Sequence, residues 1–500
     1  MSAAPLASPV VELDCGTLRG TTEDGVAVFR AVPYAAPPIG ALRFQRPQTA
    51  PAWQGERDAT AHGPIAPQPP SRLRAAMGDF TRPQSEDCLT LTIWTPAADA
   101  KRRPVVVWFH GGAFMSGAGS LAWYSGATMA RRGDVVVVGV NYRLGALGFM
   151  HLPGVSEPNL GLHDQLAALE WVSRRVAAFG GDPSNITVAG QSAGGFSALA
   201  MLAIPAARAL IRRAIVQSAP FGRVLRTLDD AASNRQRLQQ LLGIETPAQW
   251  RDVPVPELIA AQSKLAMALA QFANAMPPFT PVADHVLFGD EIVPAAVAGA
   301  AERDVLVGHT RDEMAAFFVI DERVKNATPD AVDGRFRDYF GAAAGEAAAE
   351  YRSRARDASP AALLGELTGD ALFAAGTWEF GERLAALGKP AFVYRFDFAP
   401  PGNAFAACHC SELPFVFDNL DAWQAPMLAG GDPVTMRRLG DQMQDAWIAF
   451  ARSGNPSHEG LPPWPHFDLG PDGARRTMVF DAESRVVADP AGRARWRHWA

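Results

Sequence analysis

Lysine is almost missing from this chain of 500 residues: it stands only at Lys101, Lys264, Lys325 and Lys389, so nearly all of the 46 basic residues are arginines. They are scattered among 52 acidic residues, the net charge is -6, and no stretch concentrates positive charge. Nucleic acid and anionic membrane surfaces both need such a face, so neither is an expected partner. Cysteine is just as sparse. Cys15, Cys88, Cys408 and Cys410 are too few to staple so long a chain, and a large core needs no staples, which predicts reduced thiols. Long apolar runs are missing too: the longest, such as residues 135–140 and 198–204, fall far short of the roughly 18 residues of a membrane span. Residues 1–11 are interrupted by proline and lack a basic start, so no export signal is expected and the predicted location is cytoplasmic.

Metal chemistry finds little support. Cys408-His409-Cys410 resembles a ligand cluster, but chelating pairs normally sit about two to four residues apart and no second pair exists in the chain. In an extended segment His409 would also point away from both sulfurs. No metal and no cofactor are predicted.

What the chain does contain is a succession of buried-strand patterns. Residues 89–94 alternate, residues 105–109 and 135–140 are continuous apolar runs, and residues 186–189 form a fourth candidate. Such runs suit strands covered on both faces. Residues 163–179 place Leu166, Leu169, Val172 and Val176 at helical spacing and stop at Gly180-Gly181-Asp182-Pro183. Strand, helix, strand predicts a parallel crossover. Further strands are expected at 214–217, 304–307 and 391–396, with helical insertions between Val224 and Met276 and between Asp321 and Leu387. At the start, glycine-broken residues 10–29 predict a β-meander, and proline-rich residues 37–83 predict a long irregular surface segment. With no repeat and no linker, the expectation is one α/β domain over residues 1–500, built on a large, mostly parallel sheet with helices on both faces.

Two motifs carry chemistry. Gly190-Gln191-Ser192-Ala193-Gly194 follows a predicted strand and precedes the helix-forming residues 196–202. A sharp strand-to-helix turn strains the serine backbone and lifts its hydroxyl above the sheet, and only small neighbours allow that approach. The helix start below also offers unpaired N–H groups and partial positive charge. The bland alternative is a tight turn rich in small residues, but the flanking elements favour a nucleophile. His110-Gly111-Gly112-Ala113-Phe114 follows another predicted strand. Glycine-rich loops so placed supply backbone donors to a developing oxyanion, which makes the N–H groups of Gly111, Gly112 and Ala193 the candidate oxyanion hole.

A serine needs a base, and the base a carboxylate. Of the late histidines, His458 lies in a polar turn and His466 and His498 among tail residues, whereas His409 occupies a loop of small residues after a predicted strand. His409 is therefore the candidate base. The strand at 304–307 runs into Gly308-His309-Thr310-Arg311-Asp312-Glu313, and spacing leaves Asp312 and Glu313 both open as the acid.

Ordered motifs along nearly the whole chain resemble the type B carboxylesterase and cholinesterase family, including bacterial para-nitrobenzyl esterases. They include Gly40-Ala41-Leu42-Arg43-Phe44, Glu86-Asp87-Cys88-Leu89, Asn141-Tyr142-Arg143-Leu144-Gly145, Gly161-Leu162-His163-Asp164-Gln165 and Phe179-Gly180-Gly181-Asp182-Pro183. The resemblance implies an α/β-hydrolase fold, a serine carboxylesterase acting through an acyl-enzyme, and a triad of Ser192, Glu313 and His409. It also implies ion pairs of Arg43 with Glu86 and of Arg143 with Asp164. Two departures matter. Gln191 stands where the family usually has glutamate, and residues 63–87 lack the tryptophan on which cholinesterases stack choline. Neutral, moderately apolar carboxylic esters are therefore the expected substrates, with carbamate or amide hydrolysis, or a non-catalytic interaction role, as alternatives. Phe114, Gln191, Phe317 and Phe318 are candidate pocket residues.

Overall fold

The structure is a computed structural model that describes residues 8–222, 225–274, 276–354, 358–468, 474–490, 492 and 499. His498 and Val224 lie outside the described residues. The strands are β1 (Val10–Leu13), β2 (Gly16–Arg19), β3 (Thr21–Glu23), β4 (Val26–Pro33), β5 (Glu56–Asp58), β6 (Thr90–Thr95) and β7 (Arg103–Phe109). They continue with β8 (Val136–Val140), β9 (Gly181–Gln191), β10 (Arg213–Gln217), β11 (Asp304–Thr310), β12 (Phe392–Phe396), β13 (Arg476–Phe480) and β14 (Arg485–Ala488).

One 11-stranded sheet has the order β14-β13-β12-β11-β10-β9-β7-β8-β6-β4-β3. Its centre, from β8 through β7 to β13, is parallel, and antiparallel strands close both margins. Alternation along β7 explains why its apolar run is continuous: Val105, Val107 and Phe109 enter one core, Val106 and Trp108 the other. Each side of the sheet is thus a complete apolar layer covered by helices.

Two expectations are modified. The N-terminal meander is divided, since β1 and β2 join β5 in a separate three-stranded sheet while β3 and β4 form a hairpin at the edge of the large one. The crossover through the helix Leu160–Arg175 does join parallel strands, but β7 lies between β8 and β9. Periodicity reports that a strand is buried on both faces, not which strand lies beside it.

The first insertion contains the helices Leu228–Leu242 and Val255–Leu269. The second contains Pro329–Phe340, Ala344–Arg354, Pro360–Gly369 and Ala375–Ala386, the last two joined by a π-helical turn at Asp370–Ala374. This insertion has its own apolar cluster, with Val332, Phe336, Tyr351 and Leu364, and it reaches the sheet edge through Met314, Phe318 and Phe373. Among the described residues no helix is long and apolar enough to cross a membrane.

Both implied ion pairs form. Arg43 Nε lies 2.9 Å from Glu86 Oε2, and Arg143 Nη2 lies 2.6 Å from Asp164 Oδ1. Asp164 is fully buried and also accepts from Arg143 Nε and from the Arg143 backbone N–H, so it ties the segment after β8 to the helix Leu160–Arg175. Truncating Arg143 strands a buried carboxylate. Arg143→Met is expected to destabilise the protein by about 3–5 kcal/mol. Arg383→Ala, which breaks an exposed ion pair with Glu379 one helical turn before it, should cost less than about 1 kcal/mol. Unfolding midpoints of the two variants check the contrast.

Candidate active site

Residues far apart in sequence meet here because their strands are neighbours. In β7 and β9, Phe109 is in register with Gly190, so the glycine loop after β7 and the turn after β9 emerge side by side. Gln217 at the end of β10 is level with Gln191, and Thr310 at the end of β11 with Phe396 of β12. Every candidate residue sits at the carboxyl edge of this parallel core, where strand order reverses around β7.

The turn after β9 has the required strain. Ser192 has φ 60° and ψ -123°, outside the regions ordinary residues prefer, and the helix Ala193–Ala203 starts immediately after it. The geometry depends on missing side chains: a Cβ on Gly194 would lie 1.9 Å from the Phe109 carbonyl oxygen, and one on Gly190 2.2 Å from that of Gly194. The Ser192 N–H is held by the Gln217 carbonyl at 2.9 Å.

Opposite lies the glycine loop. Its His110 ring stacks on Tyr142 at 4.3 Å, and the Tyr142 hydroxyl donates to the His110 carbonyl at 2.6 Å. Burial lowers the His110 pKa to about 4, so the ring is neutral. Gln68 fastens the other end, accepting from the Gly117 N–H at 2.6 Å and donating to its carbonyl at 2.9 Å. The N–H groups of Gly111 and Gly112 donate to no acceptor among the described residues. Ala193, the first residue of its helix, has no partner for its N–H within that helix.

The two carboxylates left open by spacing separate in space. Asp312 accepts from the Ala407 N–H at 3.1 Å and pairs with Arg311, so it pins the loop that carries His409. Glu313 reaches the histidine itself. Its Oε2 is hydrogen-bonded to His409 Nδ1, its Oε1 accepts from the Thr310 N–H at 2.9 Å, and both side chains are buried. Burial alone would raise the Glu313 pKa, but the charge and hydrogen bond of His409 outweigh it and hold the carboxyl below its ordinary value. Phe317 and Phe373 pack against the imidazole, with centroids at 5.5 and 4.8 Å.

With its Nδ1 proton directed to Glu313, His409 accepts at Nε2 from the Gln191 side-chain amide, 3.3 Å away. Gln191 Oε1 in turn accepts from Cys410 Sγ at 3.3 Å. The Ser192 hydroxyl has no hydrogen bond to His409 among the described residues. A hydrogen bond from the hydroxyl to His409 Nε2 would need the imidazole edge to turn from the Gln191 amide, an adjustment common in unliganded sites.

Ser192, Gly111 and Gly112 open on a cleft of about 580 Å³, counted with its mouth. Gln191 and Phe317 line it, together with Leu73, Met77, Leu121 and Trp123. Phe114 does not: positive φ at Ala113 and Phe114 turns the chain so that this ring packs against Phe149 and Phe196 in the core. Phe318 faces a second cavity behind Glu313, because adjacent residues on the short helix Ala315–Phe318 point to different sides.

Sequence reasoning missed Glu412, Gln217, Gln68 and Arg72. Glu412 follows His409 by three residues, a spacing that could have flagged a carboxylate near the base. It is fully buried, accepts from Gln217 Nε2 at 3.3 Å through Oε1, and has no partner for Oε2 among the described residues. Trp447 Nε1 fixes Gln217 from the other side at 3.0 Å. Gln68 and Arg72 lie in the irregular segment 37–83, whose path no periodicity reveals.

The carboxylesterase family model matches residues 7–492. A phenmedipham hydrolase of Pseudarthrobacter oxydans is 39% identical, with 97% of each chain covered. A para-nitrobenzyl esterase of Bacillus subtilis (strain 168) is 37% identical, again with 97% of each chain covered. Among solved structures, the Geobacillus stearothermophilus carboxylesterase at pH 6.2 matches with a TM-score of 0.87 and 36% identity, covering 98% of this chain and 100% of that one.

Desolvation, then repulsion from Glu313, raises the Glu412 pKa from 4.5 to about 8. A raised folded-state pKa favours the protonated form, so this contribution is complete below the ordinary value of 4.5 and is lost as pH rises through about 8. Glu412→Gln removes the loss. Relative to the parent, the variant is expected to gain stability with increasing pH across that window, by at most about 1.4 kcal/mol per pH unit. Urea unfolding over a pH series measures the difference.

Proposed function

We propose, because the chain belongs to the carboxylesterase family and hydrolyses carboxylic esters, that Ser192 is its nucleophile, His409 its base and Glu313 the acid that holds the base. The observation that carries this reading is the buried hydrogen bond between Glu313 and His409 Nδ1, at the same sheet edge as the strained turn of Ser192. Ionised Glu313 keeps the Nδ1 proton in place, which leaves Nε2 as the basic nitrogen.

As Ser192 Oγ bonds to the ester carbonyl carbon, His409 Nε2 takes its proton and the carbonyl electron pair moves onto oxygen. We assign the oxyanion to the N–H groups of Gly111, Gly112 and Ala193, a reading supported by their having no acceptor among the described residues. Collapse of the intermediate breaks the bond to the alkoxy oxygen, which leaves with the proton from His409. Water activated by the same nitrogen then attacks the acyl-enzyme and releases Ser192.

The substrates proposed are uncharged at the reacting end and moderately apolar. Leu73, Met77, Phe80, Leu121 and Phe317 form apolar walls, and the neutral amide of Gln191 stands beside the nucleophile where a carboxylate would attract cations. Trp123 offers an aromatic surface, but its ring is already packed against Trp423 at 4.9 Å and Phe80 at 5.4 Å. The four unpaired cysteines fit a reducing, cytoplasmic setting.

Treatment with an organophosphate should add one phosphoryl group at Ser192, seen by intact-mass and peptide mass spectrometry, and Ser192→Ala should lose both adduct and turnover. An active preparation without an adduct, or unchanged hydrolysis in Ser192→Ala, would overturn the assignment. Gln191→Glu is expected to raise kcat/KM for cationic esters over neutral ones by about tenfold, the effect of roughly 1.4 kcal/mol from one buried charge. Paired choline and neutral alkyl esters measure it.

A further inference from the structure

Several polar side chains lining the cleft are already engaged. Gln191 donates to His409 and accepts from Cys410, and the Ser71 hydroxyl accepts from the Leu73 N–H at 3.2 Å. Tyr124 is different. It lines the same cavity as Ser192, Gly111 and Gly112, it is only 4% exposed, and its hydroxyl makes no hydrogen bond among the described residues. The oxygen is not closed off from solvent either, so it opens on the cleft that the residue lines.

The fold fixes where that hydroxyl stands. Tyr124 ends the short helix Ala122–Tyr124, whose Ala122 and Trp123 carbonyls accept from Asn419 Nδ2 at 2.9 and 3.1 Å. Asn419 is itself held by Trp423 Nε1 at 2.9 Å. The tyrosine ring packs against Trp108 and Phe417, with centroids at 5.6 and 5.7 Å. Trp108 belongs to β7, which leads into the glycine loop, and Phe417 follows the loop of His409, so the phenol is held relative to both halves of the site. Cys410 and Glu412, close behind the base in sequence, act on it electrostatically, and burial keeps the phenol a neutral donor. A side chain so anchored has little freedom left to lose when a ligand binds.

His409 hands its proton to the departing alkoxy oxygen, so the alcohol part of an ester lies on the side of the His409 loop, which is the side of Tyr124. Leu73, Met77, Phe80 and Leu121 make the rest of that wall apolar. An alcohol part without an acceptor would cover the phenol and leave its proton unpaired, which costs at least as much as a formed bond contributes. We propose that Tyr124 is a specificity-determining residue, which donates to a neutral acceptor oxygen, such as a ketone or amide carbonyl, carried by the alcohol part of the substrate a few atoms from the scissile bond. This rests on Ser192 being the nucleophile of the same cleft. Removing one neutral hydrogen bond of this kind changes kcat/KM by about three- to tenfold.

Replacing a carbonyl oxygen by a methylidene carbon keeps the shape of a substrate and removes the acceptor. The test therefore compares acetonyl acetate with methallyl acetate, and meta-acetylbenzyl acetate with meta-isopropenylbenzyl acetate. Methyl meta-acetylphenylacetate and its isopropenyl analogue form an acyl-side pair. The quantity read is the kcat/KM ratio of the carbonyl to the methylidene member, in the parent and in Tyr124→Phe, which keeps the ring against Trp108 and Phe417. The intrinsic reactivity of each ester cancels between the two enzymes. In at least one alcohol-side pair the ratio should fall about three- to tenfold in Tyr124→Phe, while the acyl-side ratio stays. Equal ratios in the two enzymes for both alcohol-side pairs, or a fall of the same size in the acyl-side pair, overturn the proposal. If Ser192→Ala abolishes turnover of the methylidene esters, that failure leaves the nucleophile assignment standing; turnover surviving in Ser192→Ala removes the assignment and this inference with it.

Discussion

Everything at this site depends on how closely one helix approaches one strand. The helix Ala193–Ala203 can start where it does only because Gly194 presents no Cβ to the Phe109 carbonyl and Gly190 none to Gly194. That contact sets the positive φ of Ser192, aims the first N–H of the helix toward the cleft, and brings the turn after β9 against the glycine loop after β7. A methyl group at either glycine would require the helix to move back and carry the Ala193 N–H away from the glycine loop after β7. The fully buried helix, packed into the core on one face of the sheet, cannot yield without disturbing that layer.

Charge is distributed with similar economy. One ionised carboxylate, Glu313, is buried next to the imidazole and compensated by it. A second, Glu412, lies near but is pushed toward its neutral form by burial and by the first. Gln191 separates the imidazole from the serine with an amide that donates to one neighbour and accepts from another. The result is one buried acid–base pair at the sheet edge beside Ser192, below a cleft whose lining, among the described residues, is apolar or neutral apart from Arg72. Low dielectric makes each such choice matter more than it would in water.

The α/β-hydrolase fold was legible in large part. Central strands announced themselves because burial on both faces demands continuous apolar runs, and residues 105–109, 135–140, 186–189, 214–217, 304–307 and 391–396 coincide with strands of the sheet, with only residues 135 and 391 falling one position outside them. The motifs around Ser192 and Gly111 were legible because tight turns and close backbone approach accept only small residues. Neighbour relations were not. Nothing local shows that β7 lies between β8 and β9, or that the hairpin β1–β2 leaves the main sheet, since side-chain periodicity is the same whichever strand lies alongside.

What the amino-acid sequence determined by itself was therefore the set of elements and the chemistry at their ends: strand, glycine loop, strand, serine turn, and late loops carrying Asp312, Glu313 and His409. Tertiary structure decided which of these touch. It gave Glu313 to the imidazole and Asp312 to the Ala407 backbone, drew Phe114 into the core while leaving Phe317 at the cleft, and brought Gln68, Arg72 and Glu412 to a site that no motif connects them with. The reason is physical: backbone and small-residue requirements act over a few positions and leave a mark in sequence, whereas direction, burial and pairing of a side chain arise only when distant segments pack.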